Sequence, residues 1–229
     1  MIRIRESELS HGLAFLTVDG ERDLVHDLPL RPDKNQGGYG AFWFRETVSM
    51  LIQPYYKWLD IIDGTILWYF TRIKANVGYT GAGIGYYISG SDTQTAGWQE
   101  AGAGNTRIQA LFRRNSYSAN YTYNVPIGTS ECVAARFSPT QATTFRNGYF
   151  YNDFTIINGF QPYPYVTCNA DTPSVMTHCF AVWNRQLSDH ELARVTRNPY
   201  ELITEDLYPV VSQVSLRHIP PHLLQMFCT

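Results

Sequence analysis

The dipeptide Asn147-Gly148 lies between two aromatic, β-favouring triplets, Thr144-Phe145-Arg146 and Tyr149-Phe150-Tyr151. Both central residues tolerate positive φ, and the mirror-image turn they form matches the twist of a two-residue hairpin. An antiparallel hairpin is therefore expected here. Further strands read from runs of aromatic and β-branched residues. Thr65 to Ile73 fits a strand buried on both faces. Gly85 to Ser89, Ile108 to Phe112, Glu131 to Phe137 and His178 to Trp183 fit four more. Before Thr65, short apolar patches are broken at Asp19-Gly20, Asn35-Gln36-Gly37-Gly38 and Asp63-Gly64.

One helix is expected, after the last of these strands. Ser188-Asp189-His190-Glu191 is a capping box, with Leu187 and Leu192 placed as a hydrophobic staple. Asp189 and Glu191 suit the positive end of the helix dipole. Asn198-Pro199 ends it, because the residue before proline avoids the α region. Short strands, turns and one late helix predict an all-β protein: a two-sheet antiparallel β-sandwich, of jelly-roll type, with one short C-terminal helix. Without alternating helices, a parallel α/β fold is excluded.

The 229 residues suit one such domain, and folding at this size buries roughly 70% of the chain's surface. Charged residues are only 17%, against about 25% in ordinary domains, while 44% are apolar, so the chain is charge-poor rather than disordered. A net charge of −2 argues against a nucleic-acid partner, which would need a basic stripe. Lysine occurs only at positions 34, 57 and 74, leaving arginine as the dominant cation, a hint of protein contacts. Met1-Ile2-Arg3-Ile4-Arg5-Glu6 lacks the apolar stretch of an export signal, and no run suits membrane insertion. Cys132, Cys168, Cys179 and Cys228 have no CxxC spacing and are expected to be free thiols, Cys132 and Cys179 near each other in apolar strands.

Several blocks resemble a known family. Arg146-Asn147-Gly148 after a strand resembles the hairpin of laminin-G-like, concanavalin A-like sandwiches. Ala181 to Leu192 is similar to their closing strand and helix, and Asn198-Pro199-Tyr200-Glu201-Leu202 to the ending of phage and prophage versions. Gly12-Leu13-Ala14-Phe15 and Arg22-Asp23-Leu24-Val25 resemble their opening. The resemblance covers roughly residues 10–203, and implies a jelly-roll domain over residues 1–203 and a separate tail over 204–229. It does not fix a function, since the fold carries enzymes, lectins and structural domains.

Catalytic signatures are missing. Retaining glucanases of this fold carry a Glu-x-Asp-x-x-Glu strand, and this chain has none. No HExxH, zinc-spaced Cys/His set or Gly-x-Ser-x-Gly elbow occurs among its residues. Gly81-Ala82-Gly83-Ile84-Gly85 lacks the spacing and the Lys-Ser/Thr of a phosphate loop and reads as a bend or bulge. Laminin-G-like domains often bind calcium at the rim. Asp92, Asn105, Asp153 and Asp171 lie in stretches that read as loops, but no two share a diagnostic spacing, so no metal or other cofactor is expected.

The loop read between Ser89 and Tyr123 offers Trp98, Tyr117, Tyr121 and Tyr123 among amides and hydroxyls. Core packing, a protein interface and glycan binding all fit that composition. The tail carries Val210, Val214, Leu216, Leu223, Leu224 and Phe227, costly to expose, and reads either as an assembly arm or as an edge strand closing its own domain. Two functions follow. The first, implied by the phage resemblance, is a non-enzymatic structural virion protein. It would be a head or tail accessory subunit, assembled in the host cytoplasm, contacting other virion proteins and self-associating. The alternative is a phage lectin-like module for a host-surface glycan. Under either, Ser188→Ala is expected to cost about 0.5–2 kcal/mol of stability in urea unfolding and to leave binding intact.

Overall fold

A computed structural model of the chain describes residues 2–18, 22–29, 63–76, 81–86, 94–101, 103–114, 117–156, 166–169 and 174–205. They form an antiparallel β-sandwich with one short helix. The strands are β1 (Ile2–Ile4), β2 (Leu13–Thr17), β3 (Arg22–Asp23), β4 (Leu28–Pro29), β5 (Gly64–Arg72), β6 (Gly81–Tyr86), β7 (Gln94–Glu100), β8 (Arg107–Arg114), β9 (Tyr117–Asn124), β10 (Ser130–Phe137), β11 (Gln141–Arg146), β12 (Tyr149–Thr155), β13 (Val166–Asn169), β14 (Val175–Trp183) and β15 (Ile203–Glu205); helix α1 is Asp189–Arg197. One sheet runs β12-β11-β10-β5-β14-β2 and the other β13-β6-β7-β8-β9.

Strand β5 is the centre of the six-stranded sheet, between β10 and β14. Its alternation feeds two cores. Ile66, Trp68 and Phe70 point inward and meet Ala96, Trp98, Ile108 and Phe112 of the opposing sheet. Leu67 faces the other way, where Cys132, Ala134, Cys179 and Trp183 pack against Leu187, Leu192 and Val195 beneath α1. The strand thus has both faces covered, as its unbroken apolar run predicts. Trp68 Nε1 donates to Thr177 Oγ1 at 3.0 Å and Trp183 Nε1 to the Leu9 carbonyl at 2.7 Å, so neither indole is left polar in the core.

The expected hairpin is present as β11–β12. Asn147 has φ 49° and Gly148 φ 91°, the signature of the mirror-image turn. The turn is also anchored. Asn147 Oδ1 accepts from the Cys132 amide at 2.8 Å, and the Gly148 amide donates to Thr196 Oγ1 on α1 at 3.0 Å. Helix α1 starts as expected: Ser188 Oγ accepts from the Glu191 amide while Glu191 Oε2 accepts from the Ser188 amide at 2.8 Å. Arg185 donates to the same carboxylate and holds its pKa down to about 2. Cys132 and Cys179 are free and buried, and burial raises both thiols, Cys179 to about 12.

Three expectations are corrected. Residues 94–100 and 117–124 are strands rather than a loop; polar residues hide their alternation, but neighbouring strands satisfy the backbone. Strand β8 covers the run expected at 108–112. Gly81 to Gly85 is not a bend. It lies in β6, paired with β7 on one side and β13 on the other, and two-sided pairing outweighs the weak strand preference of glycine. Asp153 lies within β12, opposite Thr143, not in a loop. Strand β15 pairs with β1, Ile2 opposite Glu205. The tail residues Val210, Val214, Leu216, Leu223, Leu224 and Phe227 lie outside the described residues.

A Cβ on Gly148 would sit 3.0 Å from Arg197 Nε and 3.2 Å from Arg197 Cβ, in a backbone region that disfavours side chains. Gly148→Ala is expected to cost about 1–3 kcal/mol in chemical denaturation, with the Asn147 amide resonance shifted as the turn distorts.

Candidate functional site

The sequence-predicted aromatics separate in the structure. Trp98 is 3% exposed and Tyr123 is 7% exposed, both within the core between the sheets. Neither ring face is open to a ligand. Tyr121 is 41% exposed at the edge strand β9, and Tyr117 lies further up the same strand. Tyr121 and Tyr123 meet Tyr151 of β12 edge-on, at centroid distances of 5.1 and 5.4 Å. Arg146 closes this seam. Its guanidinium stands 4.7 Å from the centre of the Tyr123 ring and makes two hydrogen bonds, of 2.7 and 2.5 Å, to the buried Glu131 carboxylate.

The seam's electrostatics follow from burial. Burial, with Glu131 nearby, raises the Tyr123 hydroxyl. Tyr151 is pushed up to about 12, first by burial and then by its hydrogen bond with Tyr121. The Glu131 hydrogen bond raises Arg146 further. The only polar atom of this group without a partner is Tyr123 Oη, inside a cleft closed by Arg146 and Tyr151. This cluster seals the edge where the two sheets meet.

A different surface has the shape of a binding site. On the outer face of the six-stranded sheet, beside the end of α1, lies a cleft of about 360 Å³. One wall is the last turn of α1 with Asn198, Pro199 and Tyr200; the other is the start of β10 with Asn147. Tyr69 of β5 and Tyr200 meet edge-to-face at 5.7 Å, and Tyr200 is 46% exposed. On the same strand, Thr71 Oγ1 is hydrogen-bonded to His178 Nε2 at 2.6 Å and to Ser130 Oγ at 2.7 Å.

The polar lining divides into two kinds. Asn147 is engaged by Cys132 and Glu131, and Thr196 bridges the Gly148 amide and the Leu192 carbonyl. Those groups hold the fold. The Arg197 guanidinium and the Asn198 side-chain amide have no partner among the described residues. An aromatic face beside unengaged donors is an arrangement suited to a ligand with apolar C–H faces and hydroxyls.

Sequence reasoning missed this cleft. Tyr69 lies in a run that reads as a buried strand, Tyr200 lies about 130 residues away in the block that resembles the phage ending, and nothing in the sequence singles out Arg197; no local pattern joins them. Of the residues weighed for calcium, Asn105 is an ordinary turn residue, accepting from Asn76 Nδ2 and the Arg107 amide, and Asp153 is in β12; Asp92 and Asp171 lie outside the described residues. Among the described residues no cluster of three or more His, Cys, Asp or Glu could hold a metal ion.

No protein-family model matches the chain, and no curated protein sequence matches it. Solved structures share its architecture. Trypanosoma rangeli sialidase, in a complex with sialic acid, is similar at TM-score 0.57 and 12% identity, over 85% of this chain and 34% of that one. The binding domain of botulinum neurotoxin DC, in complex with SialylT, is similar at TM-score 0.57 and 8% identity, over 82% and 52%. The botulinum neurotoxin serotype D binding domain gives TM-score 0.58 and 9% identity, over 83% and 52%. This chain therefore corresponds to about a third of the sialidase and about half of each toxin binding domain. At these identities the likeness is one of fold: a β-sandwich.

Replacing Trp98 separates packing from recognition. Trp98→Ala is expected to lose about 3–5 kcal/mol in urea unfolding, the cost of an emptied core site, whereas Tyr121→Ala is expected to lose about 1 kcal/mol.

Proposed function

We propose that this chain is a non-enzymatic carbohydrate-binding domain of lectin type, and that the cleft beside α1 is its sugar site. The observation that carries the reading is the half-exposed Tyr200 ring standing against Tyr69 beside Arg197 and Asn198, whose side chains have no partner among the described residues. A sugar ring stacks its C–H face on an aromatic and needs directed donors for its hydroxyls. The seam at Trp98, Tyr121 and Tyr123 is less suited, because Trp98 and Tyr123 are buried and Tyr121 packs edge-on against Tyr151. Support also comes from the sandwich fold shared with structures solved with sialic acid and with SialylT.

A virion setting is the second reading. It rests on the phage and prophage resemblance of Ala181 to Leu192 and Asn198 to Leu202, and a glycan-binding domain would serve host recognition there. Locating the chain in a purified particle by labelled antibody tests that setting.

A glycan array probed with the full chain tests the main reading. Binding is expected, and Tyr200→Ala is expected to weaken it about tenfold, the equivalent of about 1.4 kcal/mol, with the circular dichroism spectrum unchanged. An array without a single binder overturns the reading.

A further inference from the structure

The charge of the cleft points to a narrower ligand class, and this step rests on the glycan reading above. The described arginines of the surrounding surface are paired with acids: Arg146 with Glu131, Arg136 with Asp189, Arg185 with Glu191, and Arg194 with Glu201 and Glu8. Arg197 departs from this pattern. It is exposed, lines the cleft, and has no acidic partner among the described residues. Among the described residues no carboxylate lines the cleft with it; the remaining lining groups are hydroxyls, amides, a buried thiol, a proline and aromatic rings.

A basic residue at a helix C-terminus has an ordinary explanation, since it complements the helix dipole. Arg194, one turn earlier, already fills that role and is held there by Glu201. Arg197 instead lies along the Gly148 turn, its side chain within 3.0–3.2 Å of where a Cβ would stand. The glycine therefore leaves room for this guanidinium at the cleft wall. An unpaired planar guanidinium presents two parallel N–H donors, the geometry that matches a carboxylate.

We infer that the cleft selects acidic sugars, with Arg197 receiving a sugar carboxylate while Tyr200 stacks on the ring. Sialic acids and uronic acids share that chemistry. A neutral glycan would keep the stacking and lose the ion pair.

Calorimetry with three probes tests this: sialyllactose, a glucuronic acid-terminated lactoside, and lactose. The full chain is expected to bind at least one acidic probe tenfold or more tighter than lactose, and which one names the source. Arg197→Gln is expected to abolish that difference and to leave the melting temperature unchanged. Arg197→Lys is expected to restore part of it, because a point charge replaces a fork. If lactose and both acidic probes bind equally and Tyr200→Ala weakens all three, the glycan reading stands and the acidic specificity is wrong. If acidic binding persists undiminished in Arg197→Gln, the role given to Arg197 is wrong. If no probe binds and a broad array is also blank, both readings fall.

Discussion

The two-sided burial of β5 is the constraint on which the rest of the molecule depends. A strand carrying Ile66, Leu67, Trp68, Tyr69 and Phe70 in succession has no polar face to give to water. The opposing sheet can cover only one side. The other side needs a separate lid, and the short helix with its 3-10 extension at Pro199–Leu202 supplies it through Leu187, Leu192, Val195 and Leu202. Because α1 is short, it covers the lower part of the outer face and stops at Asn198-Pro199. Beyond that stop, Tyr69 is half-buried and Tyr200 stands over it. The cleft is thus the part of that face that the described residues leave uncovered.

The same logic explains why Glu131 is buried with a full set of partners. A desolvated carboxylate is costly unless its oxygens are bonded. Arg146 binds it twice, and Asn147 Nδ2 donates to it at 2.7 Å. Arg146 in turn covers Tyr123 and reaches the Asn124 carbonyl of β9 at 3.4 Å. One ion pair therefore joins the hairpin turn, the start of β10 and the edge of the opposing sheet. Removing either charge would leave the other uncompensated in the core, so the pair is better understood as fixing register than as adding net stability.

How far the sequence could be read follows from where its information is local. The hairpin at Asn147-Gly148 and the cap at Ser188 are legible because each is set by residues within four positions. Strands β5, β10 and β14 are legible because apolar runs need no partner to be recognised. Strands β7 and β9 were hidden: Gln94 to Glu100 and Tyr117 to Asn124 mix amides, hydroxyls and small residues that also mark loops. Their period-two aromatics, Tyr121 and Tyr123, were the available signal. Composition could not show which face those rings would take, and that depended on Tyr151 and Arg146 arriving from the other sheet. The cleft was illegible for the same reason, since Tyr69 and Tyr200 meet only through the fold.

Apart from Asn198 and Tyr200 at the cleft, many residues of the blocks that resemble laminin-G-like sandwiches hold the fold together. Asp23 is fully buried, accepts from the Leu16 and Val25 amides, and bonds His26. Arg185 reaches the carbonyls of His11 and Glu8 and ties the chain's beginning to α1. Trp183 fills the outer core. Such residues close the sandwich, and so they speak to architecture. Specificity has to come from groups that do not close the sandwich. At the end of α1 an exposed aromatic ring, an amide and a guanidinium share one cleft, the last two without a partner among the described residues. The amide and the guanidinium can change without disturbing a core contact, which is the freedom a binding surface requires if one fold is to serve many ligands.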